Sequence, residues 1–88
     1  MSLIRKVPAN FAETRIDAEA VLMRLDTGHF HTLKSTGLAV WDLIDGTRDR
    51  DGIVAALAQD YAVTPETCAA DVDQFLASLE DAGLAARD

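Results

Sequence analysis

Two short runs joined by a glycine turn limit the folds open to this chain most strongly. Residues 20–33 read AVLMRLDTGHFHTL. Apolar side chains recur at every second position of the first run, at Val21, Met23 and Leu25, and this period of two is typical of a β-strand. Gly28 can adopt the positive φ of a tight three-residue loop over 26–28. The pattern predicts a β-hairpin with a second strand over 29–33, anchored to the core by those three apolar side chains.

The sequence before the hairpin contributes one further predicted strand. Residues 11–16 alternate, with Phe11, Glu13 and Arg15 on one face. Residues 1–10 have no clear pattern, and Pro8 removes a backbone donor there.

After the hairpin the apolar period changes to that of helices. Ser35 or Thr36 is a plausible N-cap for a first helix that stops at Asp45-Gly46. Asp49 is the expected N-cap of a second helix. The predicted inward side chains of these two helices are Val40, Leu43 and Ile44 beside Trp41, then Ile53, Leu57 and Tyr61 beside Val54.

Thr64-Pro65-Glu66 is the clearest helix start in the chain. Thr can cap the helix, and proline fits the first helical position, where its missing N–H costs nothing. The predicted third helix stops at Ala82-Gly83. Its apolar face comprises Cys68, Val72, Phe75, Leu76 and Leu79.

The order of elements predicts the fold class. Three strands followed by three helices indicate an α+β fold, a winged helix-turn-helix with an N-terminal three-stranded antiparallel sheet followed by three helices. Eighty-eight residues are enough for a single domain, expected over 1–88.

The charge distribution argues against nucleic acid as a partner. The net charge of the chain is −7, and it comes from residues 35–88, which carry three basic and eleven acidic side chains, whereas residues 1–34 are nearly neutral. From 65 to 83 the third helix has five acidic side chains and no Lys or Arg. A recognition helix needs cationic or amide side chains facing phosphates and bases, so a winged-helix DNA-binding regulator is only an alternative hypothesis.

No pattern in the sequence indicates catalysis, a cofactor or a metal. His29 and His31 share a strand face, but no spaced partners supply a third and fourth metal ligand. Cys68 lies on an apolar stripe, with no basic neighbour in sequence to activate it. No apolar run is long enough to cross a membrane and no signal peptide is present, so a cytoplasmic protein is expected.

The joint order of several short motifs resembles a known family. These are residues 25–33 (LDTGHFHTL) and 36–46 (TGLAVWDLIDG), followed by Ile53, Leu57, Tyr61, Val63, Asp71-Val72, Phe75-Leu76, Leu79 and Gly83-Leu84. Over roughly 18–85 the chain is similar to the PqqD-like family, the precursor-peptide recognition elements of pyrroloquinoline quinone and other ribosomal-peptide pathways. Arg50 departs from the family, which usually has an aliphatic residue there, so weaker packing is expected at the start of the second helix.

The resemblance implies a non-catalytic peptide chaperone. Such domains bind the leader segment of a ribosomally made precursor and present it to a radical SAM maturase or a leader peptidase and cyclase. The leader adds as an antiparallel strand to the third strand and packs against the third helix, a known mode of peptide recognition. The implied peptide-binding residues are His29, Phe30, His31, Thr32, Leu33, Thr67, Asp71, Gln74, Phe75 and Ser78.

Two alternatives stay open at this point. The chain could instead be a structural subunit of a biosynthetic enzyme without peptide affinity of its own. An exposed edge strand could also pair with its own copy, which leaves a homodimer possible.

Overall fold

The main sheet has three antiparallel strands, and the hairpin forms two of them. A computed structural model describes residues 2–87 of the chain. The strands and helices, in chain order, are β1 Leu3–Lys6, β2 Phe11–Ile16, β3 Glu19–Arg24, β4 Phe30–Lys34, α1 Ser35–Leu43, β5 Arg48–Asp49, α2 Arg50–Asp60, α3 Pro65–Asp81 and β6 Ala85–Arg87. The order in the main sheet is β2-β3-β4. The α+β class and the three-stranded sheet followed by three helices are therefore confirmed.

The turn between β3 and β4 forms where the glycine predicted it. Gly28 has a φ of +73°, and its N–H donates to the carbonyl of Arg24 at 2.8 Å. The His29 N–H donates to the Thr27 hydroxyl at 3.3 Å. His29 therefore belongs to the loop, and β4 begins one residue later than expected, at Phe30.

The predicted inward face of β3 was wrong. Ala20 and Leu22 are fully buried, whereas Val21 and Met23 are half-buried on the opposite face and Leu25 is exposed beyond the strand. Both faces of this strand carry apolar side chains, so alternation alone could not identify the face that meets the helices.

Two of the three helices begin directly after the residues that were predicted to be their N-caps. Asp49 caps α2, and its carboxylate accepts from the Gly52 N–H at 2.8 Å. Thr64 is in the N-cap position of α3, but its hydroxyl contacts that of Thr67 rather than a backbone N–H. Gly83 follows α3 with a φ of +73°, as predicted for a helix stop.

Two predictions about the helices were wrong, one at the start of α1 and one at the end of α2. Lys34, rather than Ser35 or Thr36, takes the N-cap position of α1 and provides no side-chain cap. Tyr61 is 48% exposed, because the helix has ended there and the chain turns away from the core.

A second small sheet was not predicted. Its order is β5-β1-β6, with β1 antiparallel to both neighbours. Ile4 of β1 is fully buried, so this sheet ties both ends of the described chain to the core. The pairing joins strands of two to four residues that are far apart in sequence, which leaves no local pattern to detect.

Trp41 lies at the centre of the contact between α1 and the main sheet. It is fully buried, its ring meets Phe11 edge-on with centroids 5.3 Å apart, and its indole N–H donates to Glu13 at 3.1 Å. Phe11, Glu13 and Arg15 share this inner face, as predicted, and the Arg15 guanidinium pairs with Asp42 of α1. These contacts fix the helices on one face of the sheet and leave the other face uncovered.

Candidate functional site

The free edge of β4 presents unpaired backbone groups. Within residues 2–87 this strand pairs only with β3. The Arg24 N–H donates to the His29 carbonyl at 2.8 Å. Along an antiparallel ladder, hydrogen-bonded pairs of opposed residues alternate with pairs that are not hydrogen-bonded to each other. His31 and Leu33, which lie opposite Leu22 and Ala20, therefore direct their backbone groups to β3.

The remaining positions of β4 face outward from the sheet edge. By the same alternation, the N–H and C=O groups of Phe30 and Thr32 and the N–H of Lys34 point away from β3. The pairing between β2 and β3 agrees with this assignment. The Leu25 N–H donates to the Asn10 carbonyl at 3.0 Å, so the odd-numbered residues of β3 bond to β2 and the even-numbered ones bond to β4. The edge therefore offers three residues for a further antiparallel strand.

A groove between α1 and α3 lies beside one end of this edge. Its cavity has a volume of about 240 Å³. The residues that line it are Thr36, Gly37, Val40, Asp71, Gln74, Phe75 and Ser78. Within residues 2–87 the exposed Asp71 carboxylate has no hydrogen bond or ion pair, so the groove combines an aromatic floor with an available acceptor.

Gly37 and Phe75 set the width of the groove. A Cβ atom on Gly37 would lie only 3.1 Å from Phe75 Cε1. The absence of a side chain lets the Phe75 ring lie directly on α1. The half-buried ring packs against the core on one side and lines the groove on the other.

A second cavity lies at the other end of β4. It has a volume of about 250 Å³ and is lined by Arg24, Thr27, His29, His31 and Ala82. The Arg24 guanidinium donates to the Ala82 carbonyl and pairs with Asp26 at 2.6 Å, and the hydrogen bond to Asp26 raises the pKa of Arg24. These bonds hold the hairpin against the C-terminal end of α3.

The two cavities define the direction of α3 relative to the edge. The middle of α3 adjoins the start of α1, which follows Lys34, and its C-terminal end adjoins His29. Helix α3 therefore runs opposite to β4 in direction. A strand added antiparallel to β4 would run in the same direction as α3, along a channel between the helix and the sheet.

The structure brings four of the ten predicted site residues together in the α1–α3 groove. These residues, Asp71, Gln74, Phe75 and Ser78, all belong to α3. Thr67, one turn earlier, does not line the groove and bonds Thr64.

The β4 residues divide between the two faces of the sheet. The side chains of Phe30 and Thr32 are exposed on the outer face. His31 is half-buried on the inner face and, with His29, lines the second cavity. Leu33 is 7% exposed and packs in the core, so its side chain is part of the scaffold.

Sequence reasoning missed the contribution of α1. Thr36, Gly37 and Val40 form one wall of the groove. Gly37 was the available signal, because a glycine inside a helix costs up to about 1 kcal/mol relative to alanine and often marks a close approach.

Ion pairs occupy the opposite flank of α3. The Arg50 guanidinium donates two hydrogen bonds of 2.7 Å to the Asp73 carboxylate. Glu80 accepts from Arg87 at 2.6 Å. These acids already have partners, which distinguishes them from Asp71.

We expect the pKa of Asp73 to report this contact. The hydrogen bond from Arg50 lowers the Asp73 pKa below its ordinary value. Because the pKa of the folded state is lowered, the stabilisation is present at neutral pH and is lost as the pH falls through the ordinary carboxyl range towards the folded value. Arg50→Met should return the Asp73 pKa towards normal in an NMR titration of side-chain carboxyls. Arg48→Met, which removes an Asp45 partner instead, should leave the Asp73 pKa unchanged, and equal shifts in both variants would contradict the assignment.

The described residues were also compared with the requirements of a metal site and of a membrane-spanning helix. Residues 2–87 contain no cluster of three or more His, Cys, Asp or Glu side chains that could hold a metal ion. In the same part of the chain, no helix has the length and apolar character needed to cross a membrane.

Comparison with known proteins identifies the family. Residues 19–85 match the family described as coenzyme PQQ synthesis protein D (PqqD). This match covers most of the chain, which therefore belongs to the PqqD family. Among curated proteins, none matches the sequence significantly.

Two solved structures share the whole fold. One is TbiB1 in complex with the TbiA(beta) leader peptide, 28% identical, with a TM-score of 0.80 over 92% of this chain and 93% of that chain. The other is a lasso peptide synthetase B1 complexed with the leader peptide, 19% identical, with a TM-score of 0.79 over 94% of this chain and 96% of that chain. The second similarity is evidence of fold alone.

Proposed function

We propose that this chain is a non-catalytic recognition domain that binds the leader segment of a ribosomally synthesised precursor peptide and presents the precursor to a modifying enzyme. The observation that carries this proposal is the unpaired edge of β4 beside the α1–α3 groove. Membership of the PqqD family and the leader peptide bound to the similar TbiB1 support it. A radical SAM protein or a leader peptidase and cyclase is the class of enzyme that would receive the peptide.

The leader would bind as a fourth strand of the main sheet. The backbone groups of Phe30 and Thr32 and the N–H of Lys34 would pair with it, as in other cases of β-strand addition. Every second leader side chain would then point towards α3, because successive side chains of a strand alternate between faces. Backbone pairing provides affinity for any extended peptide, so discrimination has to come from the side-chain sites.

The groove would select the inward side chains. Phe75 offers apolar contact, while Gln74 and Ser78 offer hydrogen-bonding groups. The Asp71 carboxylate would accept from a basic or amide group of the leader. A charged hydrogen bond of this kind contributes more than a neutral one, about 1.5–3 kcal/mol, so Asp71 is the strongest polar candidate in the groove.

Isothermal titration calorimetry tests this function. The probe is the leader segment of each short precursor peptide found to be encoded beside the gene for this chain. Binding with a Kd below about 10 μM is expected for a specific module. The absence of heat with every neighbouring precursor would refute the proposal. Salt-dependent binding of operator DNA would indicate a regulator, and co-purification with an enzyme without peptide affinity would indicate a structural subunit.

A further inference from the structure

The outer face of the main sheet carries an apolar row that ends at the free edge. Ala12 pairs with Met23, and Met23 pairs with Phe30, so the three side chains lie side by side on the face away from the helices. Phe30 is 68% exposed. This exposure results from its place at the end of the row, where one side of the ring has no neighbouring strand.

Lys34 lies at the same edge and on the same face. It is in register with Glu19 on the neighbouring strand. Within residues 2–87, however, its ammonium group makes no ion pair with Glu19 or any other carboxylate. The outer edge of β4 therefore presents an aromatic ring and an available cation four residues apart.

An added strand would place its own side chains next to these two. In an antiparallel pair, directly opposed residues project to the same face of the sheet. Leader residues opposite Phe30 and Lys34 would therefore lie on the outer face, whereas those opposite His31 and Leu33 would face the groove. Because the strands run in opposite directions, the residue opposite Lys34 is four positions N-terminal to the one opposite Phe30.

We propose that Phe30 and Lys34 contact a second row of leader side chains and contribute to leader specificity, on the face of the sheet away from the groove. Phe30 takes an apolar side chain, and Lys34 takes a carboxylate four residues towards the leader N-terminus. The inference rests on the proposed strand addition and specifies the peptide chemistry that fits it. Recognition then uses both faces of the added strand.

Phe30→Ser tests the apolar half of this proposal. The leader affinity should fall about tenfold, since the variant loses a cross-strand pair and the burial of an aromatic ring. Ile16→Ser is the matched control, because Ile16 is 55% exposed on the same face of β2, at the opposite edge of the sheet. It should leave affinity within about twofold of the native value. Equal affinities in the two variants would overturn the role of Phe30.

Lys34→Glu tests the charged half. Leader affinity should fall about fivefold at low salt and less at high salt, because exposed charges are screened. In a panel of leaders with each acidic residue changed singly to Lys, one variant should restore binding to Lys34→Glu. In a second panel, each apolar residue of the leader is changed singly to Ser, and the residue opposite Phe30 is the one whose change does not further weaken binding to Phe30→Ser. The acidic residue that restores binding to Lys34→Glu should lie four positions before it. Rescue at another spacing, or at no position, would overturn the proposed register.

These tests separate the inference from the proposed function. The native protein titrated with the unmodified leader reports on peptide binding itself. Native binding with no effect at Phe30 or Lys34 would refute the second row and leave strand addition intact. If the native protein does not bind, the second row is refuted together with the proposed function. Thermal melting of each variant shows whether the fold is retained.

Discussion

Replacing Thr32 with proline is expected to weaken leader binding by about 100-fold while the protein stays folded. The Thr32 N–H points to the free edge, so proline removes a donor that the leader needs and places its ring where the leader backbone would lie. A lost hydrogen bond that leaves a carbonyl unsatisfied costs about 1–3 kcal/mol, and the steric conflict adds to this. Calorimetry measures the affinity, and thermal melting should show a Tm within about 5 °C of the native value.

His31→Pro is the matched control for this experiment. The His31 N–H faces β3, so proline there breaks a bond inside the sheet rather than one at its edge. This variant should lose stability as well as binding. If Thr32→Pro lowered the Tm as much as His31→Pro, the outward direction of the Thr32 backbone would be incorrect and β4 would be only structural.

Replacing Gly37 with valine is expected to reduce leader affinity by about 30-fold through closure of the groove. Even a single Cβ at this position would lie 3.1 Å from the Phe75 ring, and the two methyl groups of valine need still more space. We expect the ring to shift towards the channel where the inward leader side chains would lie. The substitution should not lower helix stability through propensity, since valine is a few tenths of a kcal/mol better than glycine in a helix.

The double variant separates groove closure from general damage. Phe75→Ala removes the displaced ring, so Gly37→Val combined with Phe75→Ala should bind better than Gly37→Val alone. Such non-additivity is expected for two residues in contact. If the two substitutions instead reduced affinity additively, Gly37 and Phe75 would not act on a shared groove.

Local patterns in the sequence were sufficient to predict the elements that carry the site. Gly28 specified the hairpin turn because a positive φ favours glycine, and Pro65 marked the first residue of α3 because the ring fits there. Helical spacing placed Asp71, Gln74 and Ser78 on one flank of α3, and the family resemblance favoured that flank. Each of these signals lies within a few residues of the feature that it predicts.

The features that escaped prediction depend on contacts between distant segments. The inward face of β3 could not be assigned, because Val21 and Leu22 are equally suited to a core and the choice depends on helices that are distant in sequence, which pack on the face of Ala20 and Leu22. The β5-β1-β6 sheet joins residues more than 40 positions apart. The share of the groove formed by α1 depends on how Phe75 of α3 packs on Gly37.

Hydrogen exchange of the β4 amides, followed by NMR, tests strand addition most directly. In the free protein, the amides of His31 and Leu33 should exchange slowly, and those of Phe30, Thr32 and Lys34 should exchange rapidly because they face the open edge. A saturating leader peptide should slow exchange of these last three by at least about tenfold, since a new ladder protects them. Leader binding without added protection at Phe30, Thr32 and Lys34 would contradict strand addition at this edge.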